Sequence, residues 1–223
     1  MTVEFDHLFI CTAVNAPEAD QLVAFGLTEG TSSIHPGQGT SNRRFFFRNG
    51  MLEFLWVHDE SEVQSPIITP TKLGERWQYR STEYSPFGIC FRPSKQNTVT
   101  QLPMATWKYH PPYLPPALHI DIASDTGNSE PMLFLLPFGS RPDAMPIERH
   151  QPLIHSCGFG EITAVRITLP QCELMSCAVQ AVQEAGLISF YTGTEHLAEI
   201  EFDCGGEGKS LDFQPTLPLR FQW

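Results

Sequence analysis

The chain has 223 residues, enough for one large domain or two small ones, and with 41% hydrophobic residues it can bury a substantial core. Its 25 acidic residues outnumber its 14 basic ones, which gives a formal net charge of -11. The basic residues are scattered except for Arg43 and Arg44, whereas a surface that follows nucleic-acid phosphates needs a stripe of them. We therefore expect no nucleic-acid partner.

The N-terminus also argues against secretion. Residues 1–10 carry acidic side chains and a histidine, so they lack the basic start and the continuous apolar run of a signal peptide. No window of the sequence approaches the roughly 18 consecutive apolar residues of a membrane span. The six cysteines include no Cys-x-x-Cys pair, and we expect buried free thiols. The sequence predicts a cytoplasmic protein with no membrane partner.

The first 58 residues are predicted to form a strand, a helix and three further strands. A helix start at Asn15-Ala16-Pro17 is followed by apolar residues at helical spacing and a stop at Gly26. Asn49-Gly50 separates two apolar runs and is typical of a hairpin turn. The predicted strands cover residues 5–11, 29–34, 43–48 and 51–57.

A similar order recurs near the C-terminus. Residues 173–185 have the apolar periodicity of a helix that ends at Gly186, and predicted strands cover residues 162–169, 187–191, 197–202 and 210–214. Both helices end in Gly-Leu, and both last strands carry Leu, an acidic residue and Phe. These matches predict a repeated unit.

Between the two units lies a β-rich stretch that contains many of the 19 prolines. It is interpreted as a further, degenerate copy in which residues 93–103 replace the helix, an interpretation that the sequence leaves open. We divide the chain into an N-terminal module (1–58), a connection (59–84), a middle segment (85–158) and a C-terminal module (159–223).

Three short stretches of the N-terminal module carry a family resemblance. Its first strand begins Asp6-His7, its last strand reads Leu52-Glu53-Phe54-Leu55, and His35-Pro36-Gly37-Gln38-Gly39-Thr40 lies between them. The module therefore resembles the vicinal oxygen chelate superfamily, in particular its glyoxalase-like subgroup. The resemblance covers the first 58 residues well and the remainder only as topology. It implies an α+β fold of the glyoxalase, bleomycin-resistance and dihydroxybiphenyl-dioxygenase type, in which βαβββ modules pair into a curved, cup-like mixed sheet of eight strands.

The resemblance also implies a divalent metal ion, held by His7 on the first strand and Glu53 on the last. Two protein ligands are fewer than the three or four that such sites need. His119 and Asp121, on one face of a predicted strand, or Asp212 in the C-terminal module are candidates to complete a site for zinc, nickel, manganese or iron. The alternative is a hydrogen-bonded polar pair of His7 and Glu53 without a metal.

Other residues are expected to contact a small molecule. The glycines of the segment 35–40 permit backbone amides to gather around an anion, although a loop that closes the sheet edge explains them equally. One of Arg43 and Arg44 is expected to bind an acidic ligand or to neutralise Glu53, and the aromatic residues Trp56, Trp107, Tyr109 and Tyr113 line either a pocket or the core. The residues expected at the ligand are His35, Gly37, Gly39, Asn42, Arg44, Trp56 and Tyr109.

Two functions follow from these residues. The first is a metal-dependent lyase, isomerase or dioxygenase with His7 and Glu53 as its catalytic residues, in which the metal polarises vicinal oxygens of a small substrate and a carboxylate moves a proton. The second is a metal-free protein that sequesters an apolar or weakly acidic molecule in the same cup. The resemblance favours the enzyme. A homodimer and the identity of the substrate are left open.

Overall fold

Strands dominate the structure, a computed structural model that describes residues 3–94, 102–170 and 174–223. Two mixed sheets and a few short helices make it an α+β fold. The first unit has the predicted element order: β1 (Val3–Cys11), α1 (Ala19–Phe25), β2 (Ser33–His35), β3 (Thr40–Phe46) and β4 (Met51–Val57). Helix α1 ends at Gly26, which has a φ of 118° and donates its N–H to the carbonyls of Leu22 and Val23.

The middle segment completes one sheet with the first unit. Its strands are β5 (Phe87–Pro93), β6 (Thr106–Tyr109), β7 (Ile120–Ala123) and β8 (Met132–Leu135). The eight strands lie in the order β2-β3-β4-β1-β5-β8-β7-β6. Strand β1 runs parallel to β4 and antiparallel to β5, and β5 in turn runs parallel to β8. The two halves of the sheet therefore repeat one arrangement and meet at β1 and β5. Part of the stretch predicted to replace a helix, residues 95–101, lies outside the described residues.

The C-terminal unit forms the second sheet. Its elements are β9 (Ile162–Pro170), α4 (Cys177–Glu184), β10 (Ser189–Gly193), β11 (Leu197–Phe202), β12 (Ser210–Asp212) and β13 (Leu219–Gln222). The start predicted for its helix, residue 173, lies outside the described residues. The predicted repeat holds for the order of the elements but not for their pairing, since the strands lie in the order β10-β9-β11-β13-β12. Strand β9 pairs with β10 and β11, and the last strand, β13, lies between β11 and β12.

The alternation of side chains along the strands separates two apolar clusters. Leu8 and Ile10 of β1 belong to a large cluster that includes residues of α1 and of the C-terminal sheet, where Phe159 stacks on Phe202 with ring centroids 4.2 Å apart. Phe9 points to the other face of the sheet and belongs to a second cluster. This second cluster lies on the face that carries the cavity described below.

The connection 59–84 packs against this second cluster. It contains two short helices that the sequence did not predict, α2 (Glu60–Val63) and α3 (Leu73–Trp77). Val63, Ile68 and Leu73 are buried in the second cluster. Within the described residues, the helices are too short or too polar to span a bilayer.

Candidate functional site

A cavity of about 410 Å³ opens on the face of the eight-stranded sheet that turns away from α1. This volume lies within the range of sites for small molecules. The two halves of the sheet line it unequally. We call strands β2, β3, β4 and β1 the polar half, because they contribute His35, Asn42, Arg44, Glu53 and His7. We call strands β8 and β7 the apolar half, because they contribute Met132, Phe134, Ile120 and Ile122.

His7 and Glu53 meet in the polar half, as their strand positions predicted. Each residue is 6% exposed, and Nε2 of His7 lies 3.5 Å from Oε2 of Glu53. The other ring nitrogen of His7, Nδ1, lies 2.6 Å from Oδ1 of Asp6. Because a carboxylate accepts, Nδ1 of His7 carries the hydrogen of this bond, and Nε2 faces Glu53 and the cavity. The three side chains form a chain of carboxylate, imidazole and carboxylate.

A β-bulge allows Asp6 to reach this chain. Neighbouring residues of a regular strand point to opposite faces, but the register of β1 against β5 shifts between Phe5 and His7. Asp6 and His7 consequently both line the cavity. Bulges often redirect a side chain next to a functional site.

Behind Asp6 lies the fully buried guanidinium of Arg92. It donates to Oδ2 of Asp6 at 3.1 Å, to Oε1 of Glu4 at 2.8 Å and to the carbonyl of Asn49 at 2.8 Å. Burial alone would raise the pKa of the Asp6 carboxyl, but the hydrogen bond from His7 and the charge of Arg92 outweigh burial and lower it. Asp6 is therefore an anion that holds the His7 ring in place.

Glu53 is satisfied by an amide rather than by an arginine. Asn42 donates Nδ2–H to Oε1 of Glu53 at 2.6 Å, and its own Oδ1 accepts the backbone N–H of Ser33 at 2.7 Å. Arg43, on the opposite face of β3, is paired with Glu29 and Asp20 instead. The carboxylate of Glu53 is thus buried, fixed at one oxygen and open towards His7 at the other.

Arg44 lines the cavity without forming an ion pair among the described residues. Its Nε–H donates to the carbonyl of Thr31 at 2.7 Å, and its guanidinium lies over the ring of Phe46, 5.2 Å from the centroid. Partial burial lowers its pKa, an effect that the charge of Glu53 opposes. The predicted neutralisation of Glu53 by direct contact with Arg44 is therefore wrong.

The segment 35–40 closes the edge of the sheet and does not form an anion site. The N–H of Gly37 donates to Oε2 of Glu62 at 2.8 Å, so a carboxylate of the chain itself already uses this amide. Gly37 and Gly39 have φ values of 78° and 75°, and an added Cβ on Gly39 would overlap the backbone of Asp59. These two glycines shape the turn and do not line the cavity. His35 does line it, with its ring stacked on Tyr113 at 4.8 Å.

The two aromatic residues predicted at the ligand fall on different sides of the sheet. Tyr109 lines the cavity and donates its hydroxyl to Oε1 of Gln38 at 2.8 Å. Burial raises its pKa above the usual range. Trp56 belongs to the large cluster on the α1 side, because it alternates with Leu55, which faces the cavity. The prediction of Trp56 as a ligand contact is wrong.

The structure does not bring the other predicted metal ligands to His7 and Glu53. On β7 the cavity is lined by Ile120 and Ile122, so Asp121 points to the opposite face, where its carboxylate lies 3.5 Å from His119. Asp212 is exposed on the second sheet and is paired with Arg220 at 2.6 Å. These three residues therefore cannot complete the predicted site.

A different group of possible ligands lies beside His7. Single ligand atoms of Asp6, His7 and Cys90 all fall within 4.8 Å of one another. Both carboxylate oxygens of Asp6 are already engaged, one by His7 and the other by Arg92. Burial raises the pKa of the Cys90 thiol well above its usual value. An ion held by this group would have to replace these contacts of Asp6.

The apolar half of the sheet explains why the metal site is incomplete. Glu53 pairs with Phe9 across β4 and β1, and Phe134 pairs with Cys90 across β8 and β5. Strands β5 and β8 repeat the parallel pair β1 and β4. In that repeat Phe134 takes the place of Glu53, and Gly88 takes the place of His7. The described residues of the apolar half therefore add no carboxylate or imidazole to His7 and Glu53, whereas a resident ion needs three or four ligands, and these residues do not fit the predicted metal centre.

The structure adds residues that the sequence analysis did not place at the ligand. Asp6, Gln38 and Phe134 line the cavity, and Arg92 supports Asp6 from behind. Tyr113, one of the aromatic residues expected in a pocket or in the core, also lines the cavity. One signal was present in the sequence, because an arginine in the apolar run 87–92 requires buried acidic partners. The bulge that turns Asp6 towards His7 left no such signal.

Comparison with known proteins supports the fold and does not identify a family. No family model matches the chain, and no curated protein matches it significantly. Among solved structures, a hypothetical protein from Staphylococcus aureus is similar with a TM-score of 0.56 and 12% identity, over 100% of this chain and 99% of that one. A mutant of 4-hydroxymandelate synthase from Streptomyces coelicolor gives a TM-score of 0.44 and 10% identity. That match covers 99% of this chain and 62% of the synthase, and it is too weak to carry an argument.

Proposed function

We propose that this chain is a glyoxalase-like protein of the vicinal oxygen chelate fold and that it acts as an enzyme on a small molecule. In this proposal His7 and Glu53 transfer a proton, as in a lyase or isomerase, without a resident metal. The observation that carries the proposal is the row of side chains formed by Asp6, His7 and Glu53. In this row Nε2 of His7 and Oε2 of Glu53 face each other at 3.5 Å, at the wall of a mostly apolar cavity.

The arrangement suits acid and base catalysis for three reasons. The anionic Asp6 fixes the tautomer of His7, so that Nε2 is the basic atom at the cavity. Asn42 fixes Glu53 and leaves its second oxygen free to accept or return a proton. The gap between Nε2 and Oε2 is longer than a hydrogen bond of about 2.7 to 3.2 Å, so each group is available to a bound molecule.

A proton-exchange experiment tests the proposal. The protein is incubated in deuterated buffer with a panel of small ketones, aldehydes and oxo acids, and loss of the hydrogens next to the carbonyl group is followed by proton NMR. The wild type should accelerate exchange for at least one compound. Glu53→Gln should reduce this rate by about 100-fold or more, the usual contribution of a general base. Glu207→Gln is the matched control, because Glu207 is exposed and pairs with Lys209 away from the cavity lining.

Two outcomes would contradict the proposal. If no compound exchanges faster than in buffer while some bind, the protein sequesters its ligand, as in the metal-free alternative. If exchange appears only after zinc, nickel, manganese or iron is added, and His7→Asn abolishes binding of the ion, the metal-dependent form of the enzyme is correct. A tightly bound ion would also raise the melting temperature.

A further inference from the structure

Arg44 offers two hydrogen-bond donors that the described part of the protein does not use. Of its guanidinium nitrogens, Nε is bonded to Thr31, and both terminal nitrogens lack a described partner. The side chain lines the cavity, and the ring of Phe46 holds it from one side. A planar guanidinium with two parallel free donors matches the geometry of a carboxylate.

Arg44 has no acidic partner among the described residues of the cavity. Asp6 and Glu53 are the acidic residues of the cavity lining, and Asp6 is paired with Arg92, which also pairs with Glu4. Arg44 and Arg149 are the arginines of the lining, and neither forms an ion pair with a described residue. The carboxylate of a ligand can therefore approach Arg44 without displacing an acidic side chain of the described protein.

The order of the strands places this cation next to the proposed proton-transfer pair. Arg44 and Glu53 are register partners on β3 and β4, and His7 lies on the next strand, β1. The α-carbons of such partners are about 4.5 to 5.5 Å apart. Arg44, Glu53 and His7 line the same cavity, so a ligand whose carboxylate is bound at Arg44 shares that cavity with the proposed proton-transfer pair.

The apolar half defines the remainder of the ligand. Beyond β1 and β5, the cavity is lined by Met132, Phe134, Ile120 and Ile122. A polar or charged tail would lose its hydration there without gaining a partner, whereas a hydrocarbon or aromatic tail is stabilised by burial.

We infer that the substrate is a small amphipathic carboxylic acid, whose carboxylate binds Arg44 and whose apolar tail lies over β8 and β7. This inference rests on the proposed function for the reaction but not for the binding. Arg44 binds and positions the substrate in this scheme, and the proton transfer stays with His7 and Glu53.

Binding of matched pairs of compounds tests the inference. Hexanoate, octanoate and 4-phenylbutyrate are each compared with the corresponding neutral amide by isothermal titration calorimetry. We expect at least one acid to bind about tenfold or more tightly than its amide, because hydrogen bonds between charged groups contribute that much. Arg44→Gln should remove the preference, and Arg44→Lys should retain part of it. Arg43→Gln is the control on the opposite face of β3 and should keep the full preference, with circular dichroism used to verify folding.

The outcomes separate this inference from the proposed function. The inference is overturned if no acid binds more tightly than its amide, or if Arg44→Gln keeps the preference. A wild type that prefers acids but catalyses no proton exchange supports the ligand class and contradicts the enzyme. A protein that catalyses exchange but binds acids and amides equally supports the enzyme and contradicts the ligand class.

Discussion

Replacement of Arg92 by methionine should strongly destabilise the protein, because it leaves Asp6 as a buried anion. Arg92 is 1% exposed, and its guanidinium makes the three hydrogen bonds to Glu4, Asp6 and Asn49 described above. Methionine keeps the apolar stem and removes every donor. Loss of one partner of a buried ion pair costs about 3 to 5 kcal/mol. That is a large part of the roughly 5 to 15 kcal/mol by which a domain is stable.

The assay is urea denaturation at pH 7, followed by circular dichroism and extrapolated linearly to water. Arg166→Met is the control, since Arg166 pairs with Glu201 in a more exposed position. This variant should lose about 1 kcal/mol or less of the free energy of unfolding. The double variant Arg92→Met with Asp6→Leu should be more stable than Arg92→Met alone, because it removes the orphaned carboxylate. The predicted role of Arg92 is refuted if Arg92→Met lowers the free energy of unfolding by less than about 1 kcal/mol. It is also refuted if the effects of Arg92→Met and Asp6→Leu simply add in the double variant.

The ion pair of Asp6 and Arg92 also predicts that the stability of the fold depends on pH. The folded pKa of Asp6 is lower than its unfolded value, because the hydrogen bond from His7 and the charge of Arg92 outweigh burial. Such a group stabilises the fold above its unfolded pKa of about 3.9, and this contribution is lost as the pH falls through the folded pKa. The wild type should therefore lose stability below about pH 4. The double variant, which lacks Asp6, should show a smaller loss over that range.

Three further predictions concern other parts of the fold. Gly88→Ala should cost about 1 to 3 kcal/mol in urea denaturation, because the new Cβ would overlap the ring of Phe9, whereas a Cβ at Gly206 would make an ordinary contact with the carbonyl of Asp203 at 3.9 Å, so Gly206→Ala should be nearly neutral. Phe159→Ala should cost about 3 to 5 kcal/mol, since its ring stacks in the cluster shared by both sheets, and a loss below about 1 kcal/mol would contradict that role. Burial lowers the pKa of His155, so stability should fall as the pH drops below about 6.5, and His155→Gln should weaken that fall in thermal denaturation.

Local sequence patterns determined the polar wall of the cavity. The alternation of side chains along two apolar strands placed His7 and Glu53 on one face and Leu8 and Ile10 on the other, and the structure has them so. A period of two depends only on the backbone of each strand, which is why one sequence sufficed. The prediction of Trp56 at the ligand followed from its residue type. Its alternation with Leu55 places it on the α1 side instead.

Elements without a strong period were missed. Helices α2 and α3 have four and five residues, too few to show helical periodicity, and their segment was taken for a polar connection. Leu73 of α3 nevertheless lines the cavity, and Val63 of α2 is buried in the second cluster. The pairing in the C-terminal unit was not predicted for a related reason, because β13 is short and lies beyond the last predicted strand, residues 210–214.

The sequence by itself therefore determined the α+β class and the order of most elements, because each depends on residues close together in the chain, while the family resemblance pointed to the pair His7 and Glu53. Only the tertiary structure decided which units share a sheet, which side chains meet that pair and whether more metal ligands reach it. Asp121 and Asp212 satisfied the chemistry of a ligand but lie on another face or another sheet, with His119 and Arg220 as partners. Strand pairing and register fix such positions over long separations in sequence, and residue type and spacing do not encode them.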